Sequence, residues 1–121
     1  MFGTETVSVG GAEWLVAVAE TPDERFQGLR RVGDLGALDG MIFIWDAPLE
    51  GAFTMRTVPI ALDIGFFDSE GVLFEVVNMF PCEDSEGCPL YGAVAPYQFA
   101  IERPAGGWDD VELGATLVRE N

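Results

Sequence analysis

The sequence contains no histidine and no lysine, and its six basic residues are all arginines. Without an imidazole the chain cannot build a Ser-His-Asp or Cys-His catalytic arrangement, and it has no general base of that kind. Histidine-ligated metal sites are excluded for the same reason. No recognised catalytic constellation remains, so the sequence leaves open whether the protein is an enzyme.

Positive charge is scarce and long apolar runs are missing. The chain carries 21 acidic residues against 6 basic ones, a net charge of -15. Nucleic acids and anionic membrane surfaces are bound through clustered Lys and Arg, so we expect neither as a partner. The longest apolar run, Trp14 to Ala19, is far shorter than the roughly 20 residues of a membrane helix. With no basic stretch ahead of an apolar one at the N-terminus, we predict a cytoplasmic protein.

The acidic residues are spread along the chain rather than gathered in a tail, which indicates an acidic solvated surface. Lysine depletion with an excess of Asp and Glu on an otherwise apolar chain predicts the cytoplasm of an extreme halophile. The alternative is an acidic protein from a GC-rich organism that prefers Arg codons. The dependence of stability on salt distinguishes the two interpretations, because the repulsion among carboxylates on a halophilic surface is screened only at high ionic strength.

The sequence does contain enough apolar material for a folded domain. Of its 121 residues, 49% are hydrophobic and 12% aromatic. This is the length of one ordinary domain, and burial on this scale offsets the chain entropy. We therefore predict a single domain over residues 1–121 rather than a disordered chain.

Local signals near the N-terminus predict a hairpin followed by a helix. Alternating polar and apolar residues on both sides of Gly10 and Gly11 predict a β-hairpin. The stretch TPDE at 21–24 combines an N-cap, a proline at the first helical position and a glutamate three residues after the cap. These signals predict a helix near residues 22–31, with Phe26 and Leu29 toward the core.

From Met41 onward the pattern favours strands. The predicted strands are 41–45, 52–58, 62–67, 72–79, 97–102 and 115–119, with a long ordered loop at 80–96. We predict an α+β fold that is mainly antiparallel β, with about seven strands in a curled sheet or partly closed barrel and one clear helix.

Four segments carry a resemblance to a known family: TPDERFQGL at 21–29, GMIF at 40–43, FTMRTVPIALDIGFFD at 53–68 and YQFAIERPAG at 97–106. Together they resemble the uncharacterised family catalogued as domain of unknown function 192, small bacterial and archaeal proteins. The resemblance implies a compact β-rich domain and no established activity. One departure is local: many members have Lys-Asn-Thr where this chain has Arg56-Thr57-Val58.

Three charged residues are candidate binding residues: Arg56, Asp63 and Glu102. The alternation of Leu62, Ile64 and Phe66 places Asp63 on the other face of the strand, beside Gly65 and Phe67, and a carboxyl group in partly apolar surroundings can act as a general acid or base. Arg56 offers a forked donor for a carboxylate or phosphate. Glu102 ends a strand and is a candidate second carboxylate. Each also has a structural interpretation as an ion pair, a loop contact or a solvated side chain.

The two cysteines, Cys82 and Cys88, lie six residues apart within the long loop. A disulfide here is the favoured interpretation and would stabilise the fold by roughly 2 kcal/mol through chain entropy. Free thiols, a redox pair and a metal site are the alternatives. Zinc would have to recruit carboxylates, so we predict no metal site.

The leading hypothesis is a non-enzymatic binding or interaction module of a halophile cytoplasm. Its pocket is expected near Arg56 and Asp63, under the loop from Cys82 to Pro96. The partner is an unidentified small molecule or protein, and no cofactor is expected. The alternative is a hydrolase or isomerase that uses Asp63 and Glu102 as acid and base, with Arg56 as an electrostatic stabiliser.

Overall fold

The computed structural model describes residues 2–83 and 87–120. Within them the chain forms nine strands and one helix. The strands are β1 (Gly3–Val9), β2 (Ala12–Ala19), β3 (Gly40–Leu49), β4 (Ala52–Thr54), β5 (Leu62–Phe67), β6 (Leu73–Met79), β7 (Leu90–Gly92), β8 (Tyr97–Pro104) and β9 (Leu117–Glu120), and the helix α1 is Pro22–Gln27. No helix in the described part of the chain is both long and apolar enough to cross a membrane.

Seven strands form one curled sheet in the order β6-β5-β8-β3-β2-β1-β9. Neighbouring strands are antiparallel except β2 and β3, which the segment containing α1 joins in parallel. The two edges of the sheet meet where Val72 pairs with Thr116 and the Leu73 amide donates to the Ala115 carbonyl at 2.9 Å. The sheet is curled enough for its edges to touch at this point and forms a half-barrel, which confirms the predicted curled, mainly antiparallel α+β fold.

Both faces of the sheet are covered, and each has its own apolar cluster. The inner cluster, centred on Trp14, Phe67 and Trp108, gathers side chains from strands at both edges of the sheet. The outer cluster, on the opposite face, includes Phe43 and Tyr97 and is covered by residues 29–38 and by the small β4-β7 sheet. All six residues of β5 are buried, because that strand contributes to both clusters.

The helix begins as predicted and ends earlier. Thr21 Oγ1 accepts a hydrogen bond from the Glu24 amide at 3.1 Å, and Glu24 Oε1 accepts one from the Thr21 amide at 3.2 Å. This capping box fixes the first turn. The helix stops at Gln27, rather than near residue 31, because Gly28 has a φ of 47° and turns the chain away.

The early end of α1 changes the position of Phe26. Leu29 is buried as predicted, but Phe26 is 74% exposed, so its predicted core position is wrong. With no further helical turn, the Phe26 ring stays at the surface, where the Arg30 guanidinium lies 4.8 Å from its centroid. Phe26 and the half-buried Arg30 both line the cavity described below.

Two other boundaries differ from the predicted ones. The strand predicted at 52–58 ends at Thr54, since the chain turns through Thr57, whose φ is 63°. The loop predicted at 80–96 contains the short strand β7, which pairs with β4. Both departures belong to the small sheet that covers the outer cluster.

Replacing Thr57 with asparagine is expected to stabilise the fold. The left-handed region costs an ordinary L-residue about 1–2 kcal/mol, and a β-branched side chain is especially unsuited to it, whereas Asn tolerates it. We expect Thr57→Asn to raise the free energy of unfolding by about 1 kcal/mol in a denaturant titration. The control is Thr4→Asn in the exposed part of β1, which should give no gain because Asn is disfavoured in strands. Equal effects of the two changes would contradict the backbone explanation.

Candidate functional site

A cavity of about 360 Å³ opens on the outer face of the sheet, between the end of α1 and strands β3, β4 and β8. The turn at Gly28 forms part of its edge, and a Cβ atom there would lie 3.6 Å from the Phe43 ring. The cavity is lined by residues 25–30, Phe43, Trp45, Leu49, residues 51–54, Val58, Tyr97 and Glu102.

Five aromatic residues line this cavity, which we call the ring pocket, and four of them pack together as its apolar wall: Phe43, Trp45, Phe53 and Tyr97. Phe43 and Trp45 are two residues apart in β3 and therefore share a face. The Phe43 and Phe53 centroids are 5.1 Å apart and those of Trp45 and Tyr97 5.3 Å apart, both pairs edge to face. Such packing gives the wall a fixed shape and a large apolar area.

Glu102 supplies a carboxyl group to the ring pocket. In β8 it lies opposite Met41 on one side and Ile64 on the other, so it sits in the middle of the sheet. The residue is 4% exposed, and no described residue donates a hydrogen bond to its carboxyl group. Burial raises the pKa of Glu102 to about 8. The group is therefore mainly the uncharged acid at neutral pH and can donate a hydrogen bond.

Two arginines from the segment around the end of α1 line the same pocket. Arg25 donates from Nη1 to the backbone carbonyls of Glu20 at 2.7 Å and Ile44 at 2.9 Å, which fixes its position against β3. Arg30 donates from Nε to the carbonyl of Phe26 at 3.2 Å. The pocket thus combines cationic donors, aromatic walls and one carboxyl group.

No three acidic or cysteine side chains among residues 2–83 and 87–120 are grouped so that they could hold a metal ion. The polar groups of the ring pocket instead suit an organic ligand, held by hydrogen bonds and charge at a few points and by ring contacts elsewhere.

Asp63 lies on the opposite face of the sheet from Glu102. Ile64 is the residue of β5 that faces Glu102 in the register, so Asp63, one residue earlier, points the other way. Its carboxylate accepts hydrogen bonds from Asn78 Nδ2 at 2.8 Å and from the Gly106 amide at 2.9 Å. Asp63 thus holds the turn after β8 against the sheet. The structure does not bring together the two carboxylates that the hydrolase or isomerase hypothesis requires.

Arg56 also lies outside the ring pocket. It is exposed, its amide donates to Thr54 Oγ1 at 3.1 Å, and its backbone pairs with that of Cys82. A second cavity, of about 310 Å³, lies close by and is lined by Thr57, Val58, Pro59, Pro81, Cys82 and Glu83. Of the three predicted binding residues, only Glu102 lines the ring pocket. The second cavity is the one that lies in the predicted region, next to Arg56 and at the start of the loop from Cys82 to Pro96.

Cys82 and Cys88 form a disulfide with their Cα atoms 5.8 Å apart. Cys82 also pairs with Arg56 and Val58 through backbone bridges, which join the crosslinked loop to the segment after β4. Residues 84–86, between the two cysteines, lie outside the described residues.

With its half-barrel sheet and the ring pocket on the outer face, the chain is a small, mostly β domain. The chain belongs to the family DUF192, described as "Uncharacterized ACR", whose profile matches residues 5–118. The match covers nearly the whole chain and confirms the family resemblance seen in the sequence motifs.

Two solved structures share the fold. One, from Sinorhizobium meliloti 1021, is of a protein proposed to be a transcription regulator; it is 22% identical, has a TM-score of 0.85, and the match covers 98% of this chain and 95% of that one. The other, a protein of unknown function from Novosphingobium aromaticivorans DSM 12444, is 23% identical with a TM-score of 0.76, over 97% and 84% of the two chains. At these identities the similarity shows the fold alone. A search among curated proteins finds no match.

Proposed function

We propose that the protein is a non-enzymatic binding module that holds a small organic molecule in the ring pocket. The observation that carries this proposal is the Glu102 carboxyl group, which is 4% exposed, faces the pocket and has no hydrogen-bond partner among the described residues. The hydrogen bonds of this carboxyl group are left to whatever occupies the cavity, water or a ligand, and a bond left unmade there would cost about 1–3 kcal/mol. A buried carboxyl group that opens into a cavity of ligand size is therefore a natural contact for a bound molecule.

A binding role fits this pocket better than hydrolysis or isomerisation. Glu102 is the one carboxylate among the described residues that line it. The second carboxylate of the enzymatic hypothesis, Asp63, is already engaged by Asn78 and Gly106 on the other face. Acid-base chemistry by a carboxylate pair needs both groups within reach of one substrate.

A regulatory role is suggested by the name of the Sinorhizobium meliloti neighbour. The net charge of -15 disfavours direct contact with a DNA backbone, which is bound through clustered positive charge. Any regulatory function of this chain would therefore act through its ligand or through a protein partner, and the ring pocket remains the site to test first.

The binding proposal is tested by thermal unfolding in the presence of a panel of amines, carboxylates, sugars and nucleotides. A ligand at about 100 times its dissociation constant adds about 2.7 kcal/mol, which moves the unfolding midpoint by several degrees. The shift should disappear in Ala52→Trp, which places a large side chain at the pocket wall from an exposed position. The control, Ala105→Trp, alters an exposed alanine outside the pocket and should keep the shift. A panel without any hit, or equal shifts in both variants, would refute a ligand site in the ring pocket.

We also propose a halophile cytoplasm as the setting of this protein, on the basis of its net charge of -15 and its lack of lysine. Repulsion among surface carboxylates is screened within about 3 Å at molar salt. We therefore expect the free energy of unfolding to rise from dilute buffer to about 2 M KCl, followed by fluorescence in a denaturant titration. A flat or falling dependence on KCl would contradict the halophile proposal and favour an acidic protein of ordinary salt tolerance.

A further inference from the structure

Positive charge is concentrated at the ring pocket although the chain as a whole is strongly acidic. Two of the six arginines, Arg25 and Arg30, line it in a protein with 21 acidic residues. Neither forms a salt bridge with a described residue, whereas Arg119 pairs with Glu5 at 2.6 Å from Nε to Oε2. Two guanidinium groups that share a cavity, neither of them paired with a carboxylate among the described residues, provide a site for an anionic group.

Both guanidinium groups are held in place before any ligand arrives. Arg25 lies 5.5 Å from the centroid of Trp45 and is fixed by its bonds to two backbone carbonyls. Arg30 lies over the Phe26 ring, and its Nη1 donates at 3.4 Å to the hydroxyl of Thr57. In both residues Nη2 makes no hydrogen bond to a described residue. These fixed arginines therefore keep donors for a ligand, at little further cost in side-chain entropy.

The polar groups of the pocket lie at different depths. Arg25 and Arg30 are half-buried, whereas Glu102 is 4% exposed and lies deep in the sheet, with the four rings of the pocket also on its walls. A ligand that uses all of these groups has an anionic end near solvent and an apolar body. Resting on the proposed binding function, we infer that the ring pocket binds a small organic carboxylate, with its carboxylate on Arg25 and Arg30 and its apolar body against the rings.

The charges around Glu102 favour a carboxylate over an amine. The titratable or charged side chains that line the pocket with Glu102 are Arg25 and Arg30 at the end of α1 and Tyr97 on its own strand. Burial raises the pKa of Glu102 to about 8 and that of Tyr97 to about 12, so both are uncharged near pH 7. The two arginines then attract an anion and repel an ammonium group. The protonated Glu102 can donate to an acceptor at the inner end of the ligand.

The test compares phenylacetate and 4-hydroxyphenylacetate with phenethylamine and tyramine, which present the same rings on a cation. Binding is measured by calorimetry and by the change in tryptophan fluorescence, since Trp45, one of the three tryptophans, lines the pocket. We expect the carboxylates to bind and the amines not to.

Arg30→Gln and Arg25→Gln should each weaken carboxylate binding about tenfold or more. Arg31→Gln removes the same charge one residue outside the pocket and should change affinity little. Because Arg25 also holds β3, thermal unfolding of each variant is measured, and Arg30→Gln is the variant that decides.

The dependence of affinity on pH gives a second, independent readout. Carboxylate binding should weaken by up to about tenfold per pH unit above pH 8, as Glu102 ionises and repels the anion. Glu102→Gln keeps a neutral donor and should bind phenylacetate at pH 7 without losing affinity at pH 9. The inference is overturned if the amines bind instead, if affinity rises above pH 8, or if Arg30→Gln binds phenylacetate unchanged; in these cases the binding function itself stands. If no compound of the wider panel binds, both proposals fail together.

Discussion

Replacing Glu102 with glutamine is expected to remove most of the loss of stability that the protein suffers as the pH rises to 9. Burial raises the pKa of this carboxyl group from 4.5 to about 8. Between these two values the folded protein retains a proton that the unfolded chain has released. The free energy of unfolding therefore falls with rising pH across this window, and the loss is complete once the pH exceeds the folded pKa. A glutamine of similar size stays neutral at every pH.

The size of the effect follows from the width of the window. At about 1.36 kcal/mol for each pKa unit, the contribution of Glu102 is about 4 kcal/mol between pH 4.5 and pH 9. We expect Glu102→Gln and the parent protein to unfold with similar free energies at pH 4.5, and the variant to be more stable by about this amount at pH 9. The measurement is denaturant unfolding across this range at constant salt.

A matched carboxylate isolates the contribution of burial. Glu112 is exposed in the turn that precedes β9, so Glu112→Gln removes a negative charge that water already solvates. Its difference from the parent protein should stay nearly constant with pH, because exposed charges contribute little. If the difference in free energy of unfolding between Glu102→Gln and the parent protein is also constant with pH, the Glu102 carboxyl group is ionised in the folded protein at pH 7. The statement that Glu102 is mainly uncharged at neutral pH would then be wrong.

The fold was predictable from the sequence because its main signals are local. Gly10 and Gly11 adopt the positive φ angles, 57° and 91°, that the predicted hairpin turn requires. The capping box at Thr21 and Glu24 depends on residues three apart, and strand alternation on residues two apart. The order of the strands in the sheet depends on contacts between distant segments, and no local pattern carries that information.

The site was predicted only in part, for a related reason. Alternation shows that Asp63 and Ile64 face opposite ways, but it does not show which of them shares a face with Glu102. That choice is set by the register of β5 against β8, in which Ile64 is opposite Glu102. The register is not visible in the sequence, so the sequence alone could not show whether Asp63 and Glu102 lie on the same face of the sheet.

The aromatic residues illustrate the difference between a core and a pocket. Phe43, Trp45 and Tyr97 lie in the strands predicted at 41–45 and 97–102, and they belong to or pack against the outer cluster. What makes them walls of a cavity is the incomplete cover of that cluster by the end of α1 and by β4, both distant in sequence. Arg25 and Arg30 gave a weaker signal, since an arginine near a helix end is common at any protein surface.

The departure at position 57 from the family pattern has a backbone explanation. The family resemblance implies Asn at this point of the motif, where this chain has Thr57. The φ of 63° lies in the region that Asn enters readily and Thr does not. An Asn at this position would fit the observed turn better than Thr57 does, which is the basis of the Thr57→Asn prediction. The sequence alone does not give the φ angle of residue 57, so it could not show that the backbone at this position favours Asn.

Replacing Gly65 with alanine is expected to destabilise the protein severely. Gly65 lies in the middle of β5 on the inner face, and a Cβ atom there would come within 2.5 Å of Trp108 Cζ2 and 2.6 Å of its Cη2. Trp108 is buried and packs edge to face on Trp14, with 5.0 Å between their ring centroids, so its ring has little space to retreat. We expect a loss of about 3 kcal/mol in the free energy of unfolding, at the upper end of overpacking effects.

Two comparisons show whether the clash with Trp108 is the cause. Gly3→Ala adds the same methyl group in β1, where no atom lies within 4 Å, and should change stability by less than about 1 kcal/mol. Trp108→Phe provides a smaller ring and removes an indole Nε1 that is buried without a hydrogen-bond partner. The double variant Gly65→Ala with Trp108→Phe should therefore be more stable than Gly65→Ala alone, a coupling expected of residues in contact. If Gly65→Ala unfolds like Gly3→Ala, or if the second change brings no recovery, the clash with the Trp108 ring is not the cause of the lost stability.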